Sequence, residues 1–142
     1  MSSFPKCRVS FRICDEKLDP MEITKILHIE PDASHKNGDP RTSVSKKGKL
    51  IKYSPYNSGL WSIDSKKAEN ASLEEHINDL LLLLEPAKDK IIVLSSQGYK
   101  IDFFCGLFAQ DCPQPGFGIN SNILKRVGDL NISIEICFYY ES

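Results

Sequence analysis

Cys7, Val9, Phe11 and Ile13 alternate with Arg8, Ser10 and Arg12, a period of two that lays four apolar side chains on one face and predicts a half-buried first strand. Asp19 and Pro20 then supply a helix cap and a proline at the first helical position, and Ile23, Ile26 and Leu27 form an apolar stripe. A short helix is expected over about 20–28, closed by Pro31. From 32 to 58 periodicity nearly vanishes in a run rich in Ser, Asn, Gly, Pro and Lys, which predicts a long loop holding at most one strand or hairpin arm over Leu50–Tyr53. Trp61 and Ile63 alternate with polar neighbours after Gly59, so a strand follows with Trp61 as a core anchor.

Ser72 and Glu75 repeat the cap pattern ahead of Leu73, Ile77, Leu80, Leu81 and Leu84, whose spacing is that of a strongly apolar helix face. Pro86 kinks this helix or starts a second one ending near Gly98. The run 99–109 is apolar on both faces, with Phe104 and Phe108 opposite Phe103 and Cys105, which suits an interior strand. A turn over 111–118, a brief strand over Phe117–Ile119, a helix capped by Asn120 and a last strand over Ile132–Phe138 complete the order. Interspersed hairpins and helices argue for an α+β domain: a mainly antiparallel sheet with helices on one face, a ferredoxin-like βαββαβ unit extended by a short β, α, β.

The chain has 142 residues, enough for one core and too few for two, so residues 1–142 are expected to be a single domain with a lysine-rich loop at about 32–58. Lys plus Arg number 18 against 19 Asp plus Glu, so no whole-protein field draws it to nucleic acid or an anionic membrane. The longest strongly apolar run, Leu80–Leu84, falls far short of the roughly twenty residues a membrane span needs. Met1–Lys6 is polar and lacks the form of a signal peptide. Five cysteines, Cys7, Cys14, Cys105, Cys112 and Cys137, include no CxxC pair, so reduced thiols in a cytoplasm are expected, Cys14 and Cys112 being the most reachable.

The first strand followed by LDPMEITKILHIEPD (18–32), then HKNGD (35–39), GLWSID (59–64), SLEEHINDLLLLLEP (72–86) and GFGINSNILKRVGDLNISIEICFYY (116–140) together resemble the DUF4279 family, a bacterial domain of unknown function, over nearly the whole chain. The resemblance implies a single bacterial cytoplasmic α+β domain and carries over no catalytic residue. The lysine-rich insert before Trp61 departs from the family pattern.

That insert is the strongest local charge feature. Between Lys36 and Lys52 lie six basic residues, Lys36, Arg41, Lys46, Lys47, Lys49 and Lys52, against Asp39 alone, a local charge of +5. Such a segment suits an acidic protein surface, and nucleic acid is the less favoured partner because no stacking strand accompanies the nearby Tyr53, Tyr56 and Trp61. The glycines form no phosphate-binding loop. His28 and His35, with Asp32 and Asp39 nearby, have no metal-ligand spacing, and His76 is expected at the surface boundary of its helix; no metal, cofactor or catalytic residue is assigned. The expected function is therefore a non-enzymatic protein-binding module, in its concrete version a toxin-neutralising, immunity-like one. The alternative is a small-ligand sensor that dimerises through its sheet.

Overall fold

A computed structural model describes residues 6–109 and 116–140. The elements are β1 (Lys6–Asp15), α1 (Pro20–Leu27), β2 (Ala33–His35), β3 (Arg41–Val44), β4 (Leu50–Tyr53), β5 (Gly59–Asp64), α2 (Leu73–Leu84), α3 (Lys88–Ser96), β6 (Lys100–Phe108), α4 (Ser121–Asp129) and β7 (Ser133–Tyr139). Five strands form one sheet in the order β2-β5-β1-β6-β7, and β3 and β4 form a separate hairpin.

Every contact in the large sheet is antiparallel except β6 with β7. Strand β2 is therefore parallel to β1 with β5 between them, and β6 is parallel to β5 with β1 between them. These are the two interleaved split βαβ units of the ferredoxin-like arrangement. Helix α4 then carries the chain to β7, an added parallel edge strand.

Two expectations are corrected. The second strand of the unit is Ala33–His35, not Leu50–Tyr53, so the expected long loop holds three strands. And Phe117–Ile119 is not a strand: it leads into α4, whose cap Asn120 accepts from the Ile123 N–H at 2.8 Å. The question left by Pro86 resolves as a 3-10 turn over Glu85–Ala87 between α2 and α3. Gly98, at φ +97°, ends α3 in a conformation a side chain resists.

The inward face of β1 (Cys7, Val9, Phe11, Ile13) is buried, as are Trp61 and Ile63 of β5 and Ile101, Phe103, Cys105 and Leu107 of β6. Against them pack Ile23 and Leu27 of α1, Leu73, Ile77, Leu80, Leu81 and Leu84 of α2, Ile91 and Leu94 of α3, and Ile123 and Val127 of α4. The expected core anchor Trp61 is fully buried, its Nε1 donating to Thr24 Oγ1 at 3.0 Å. The helix layer is tied laterally by Arg126, which donates to both Glu85 oxygens (2.6 and 3.0 Å) and to Asn78 (2.7 Å). Gly59 fits where β5 passes the β1–α1 turn, since a Cβ there would lie 2.8 Å from Leu18 Cβ and 2.9 Å from the Asp15 carbonyl.

Candidate functional site

The basic segment folds into the β3–β4 hairpin, which shares no ladder with the large sheet. Its neck is closed by Gly38 N–H donating to the Tyr56 carbonyl (2.7 Å) and Tyr56 N–H to the Asp39 carbonyl (3.1 Å), while Asp39 Oδ2 accepts from the Lys36 N–H. Its tip is closed by Ser45, whose N–H donates to the Lys49 carbonyl and whose Oγ accepts from the Lys49 N–H. The register sets Arg41 opposite Tyr53, Thr42 opposite Lys52 and Val44 opposite Leu50.

The structure thus brings Arg41 and Lys52 onto the strands, Lys46, Lys47 and Lys49 onto the tip, and Lys36 to the neck, all exposed. Lys36 pairs with Asp19 at 3.9 Å; among the described residues none of the other five forms a salt bridge. No acidic residue occurs between Asp39 and Asp64. Val44 and Leu50, 68% and 56% exposed, add an apolar pair between the cations. The aromatic rings at the base already have partners within the chain: Arg41 lies over Tyr53 (5.1 Å), and Tyr56 stacks on His35 at 3.5 Å.

The sheet face away from the helices carries an ion pair that sequence periodicity does not mark. Arg12 meets Asp102 side on, Nε to Oδ1 at 2.9 Å and Nη2 to Oδ2 at 2.8 Å, and lies 4.4 Å over the Phe104 ring. Further along the face, Phe108 stacks on Tyr139, with Lys6 and Arg8 over the Phe108 ring. Arg8 also holds the Glu69 carboxyl below its ordinary pKa range.

Burial raises the pKa of Cys7, Cys14 and Cys105 and so disfavours their thiolates. Of the three strand cysteines expected to be buried, Cys7 and Cys105 are and Cys137 is not, and burial pushes the Cys105 pKa up to about 12. Cys14 and Cys137 are only half-buried, and burial raises the Cys14 pKa as well; Cys112 lies outside the described residues.

His76 overturns its expected boundary position: it is 2% exposed. Its place was legible in the helix period, three residues after Leu73 and four before Leu80, on the buried stripe. Burial, chiefly, lowers its pKa against the opposing pull of the Ala68 carbonyl and of Asp79, Glu75 and Glu69. A lowered native pKa means the unfolded chain binds more protons, so stability falls as pH drops through the ordinary histidine range. Urea unfolding midpoints at pH 7.5 and 5.5 should show this loss, and His76→Gln should reduce it; an equal loss in the variant would place its origin elsewhere.

The family described as a domain of unknown function (DUF4279) matches residues 5–141. No curated protein and no solved structure matches the chain.

Proposed function

We propose that this chain, which belongs to the DUF4279 family, is a non-enzymatic protein-binding module whose β3–β4 hairpin docks on an acidic protein surface. The carrying observation is five exposed cations on one separately closed hairpin without a carboxylate to neutralise them. A partner's carboxylates would supply the missing counter-charge and accelerate encounter, while Val44 and Leu50 offer apolar contact once docked. Nucleic acid fits less well, because the nearby aromatic rings are engaged by Arg41 and His35. The four described cysteines are free thiols, which suits a reducing bacterial cytoplasm. An immunity-like role is the concrete version: the chain would block a cognate toxin stoichiometrically.

The test replaces Lys46, Lys47 and Lys49 together with Ser, three exposed positions outside any strand whose loss leaves the fold intact. Tagged wild-type protein should retain an acidic partner from its native lysate at low salt and lose it at high salt, and the triple variant should retain about tenfold less. Equal retention by variant and wild type would remove the hairpin from the interaction.

A further inference from the structure

The β3–β4 hairpin has two unlike faces. Residues directly opposite across an antiparallel pair share a face, as do residues two apart along a strand. The register therefore sets Arg41, Ser43, Ile51 and Tyr53 on one side and Thr42, Val44, Leu50 and Lys52 on the other. The first side is engaged within the chain: Arg41 lies over the rings of Tyr53 (5.1 Å) and Tyr56 (5.9 Å), Ser43 Oγ meets Tyr53 Oη at 3.2 Å, and Ile51 is half-buried. The second side holds Val44 and Leu50 directly opposite each other, both more than half exposed, with Lys52 on the neck side of the pair and Lys46, Lys47 and Lys49 at the tip. Resting on the docking reading above, we infer that this second face is the one that meets the partner, and that the partner presents an acidic amphipathic helix. One apolar residue of that helix sits on the Val44–Leu50 pair, with a carboxylate one turn before it and another one turn after.

The order of the side chains selects that chemistry. Same-face positions on a strand recur about every 7 Å, so Lys52 stands one such step from Leu50 while the tip lysines lie beyond the pair in the other direction. Helix neighbours four residues apart are about 6 Å from each other, so acid, apolar and acid at steps of four match cation, apolar and cation on the hairpin. A purely acidic surface would leave Val44 and Leu50 against charged groups, and a purely apolar one would take the lysines from water without counter-charge. A second copy of the chain fits poorly, because this face brought against itself sets lysines against lysines, and no carboxylate occurs between Asp39 and Asp64 to relieve them. An anionic membrane fits poorly too: Lys46, Lys47, Gly48 and Lys49 lie ahead of the apolar pair, whereas interfacial anchors place their apolar residues deepest.

The probe is a capped helical peptide of about twenty residues, an Ala and Gln frame carrying Glu-Ala-Ala-Ala-Leu-Ala-Ala-Ala-Glu at its centre. Its control has Ser in place of the Leu. Each is titrated at low salt into the full chain labelled with ¹⁵N and at its methyl groups. The Leu peptide is expected to shift the Val44 and Leu50 methyls saturably and to bind about tenfold tighter than the control. That preference should vanish when Val44→Thr and Leu50→Thr are combined, a pair of changes that keeps strand propensity, and added salt should weaken both peptides. Equal binding of the two peptides would overturn the inference while leaving a purely electrostatic hairpin contact in place. Binding of neither would overturn it as well, and the docking reading would still be judged by the Lys46, Lys47 and Lys49 variant. Sedimentation with phosphatidylglycerol vesicles that the double threonine variant loses would give the face to lipid and overturn it too. Should that variant open the hairpin, the comparison of the two peptides on the wild-type chain decides alone.

Discussion

Phe11→Ala is expected to lower the unfolding free energy by about 3–5 kcal/mol. Phe11 is fully buried on the central strand, meeting Trp61 edge-on at 6.2 Å between centroids and Phe103 at 5.9 Å. Removing its ring forfeits the transfer free energy and leaves a cavity bounded by two other large aromatics that are held by their own strands. Their contacts across β5, β1 and β6 are set by backbone register, with Phe11 opposite Ile63 and Phe103, so the site has little room to collapse. With total stabilities of about 5–15 kcal/mol for such domains, the variant should sit close to unfolding at ambient temperature. Denaturant titration measures this; a loss under about 1.5 kcal/mol would mean the three rings do not form one packed unit.

Arg12→Met is expected to cost about 3 kcal/mol or more, for a different reason. Asp102 is 2% exposed, and the Arg12 guanidinium occupies both of its oxygens. Taking away the cation leaves a buried carboxylate without its counter-charge, whereas the pair itself gives a smaller net gain because both ions lose hydration. The partner change therefore discriminates: Arg12→Met with Asp102→Leu should recover much of the loss, since no buried charge then remains. A double variant as unstable as the single one would show that the arginine acts mainly through its packing over Phe104 rather than through Asp102. Both proteins are compared by denaturant midpoint at the same pH.

What the sequence disclosed and what it hid follow from one physical distinction. β1 and β5 bury one apolar face, β7 half-buries one and β6 is buried on both, so each is written in apolar residues, and α1, α2 and α4 announce themselves through Asp19, Ser72 and Asn120, whose side chains accept from the first turns. β2 has only Ala33, Ser34 and His35 and no buried side chain; its place is fixed by pairing with β5 and by Asp32, whose carboxylate accepts from the Asp64 N–H. Of the hairpin, the arm Leu50–Tyr53 is readable and becomes β4, while β3 is hidden for the same reason as β2: it is exposed throughout, and its stability lies in the backbone ladder and in Tyr53–Ser43 and Arg41–Tyr53 contacts. Phe117–Ile119 erred in the other direction: its apolar residues pack through side chains, Phe117 beside Phe138 of β7 and Ile119 against the core, rather than as a strand.

The candidate surface was legible in part. Composition alone gathers Lys36, Arg41, Lys46, Lys47, Lys49 and Lys52 into one segment, but only the fold separates Lys36, which pairs with Asp19, from the five cations on the hairpin. Arg12 and Asp102 are ninety residues apart and meet through β1–β6 pairing, information that lies in the register and not in either segment. His76 was readable from the helix period, but its hydrogen-bond partner Ser65 comes from the loop before α2 and was not.

The central claim is that the basic hairpin is the docking surface, and crosslinking with mass spectrometry tests it most directly. The tagged chain is captured from its native lysate at low salt, treated with a reagent that joins lysine to carboxylate, and digested. An acidic protein joined at Lys46, Lys47, Lys49 or Lys52, and no longer joined when the salt is raised, is the predicted result. Crosslinks confined to other lysines, or a partner held equally well at high salt, would contradict it.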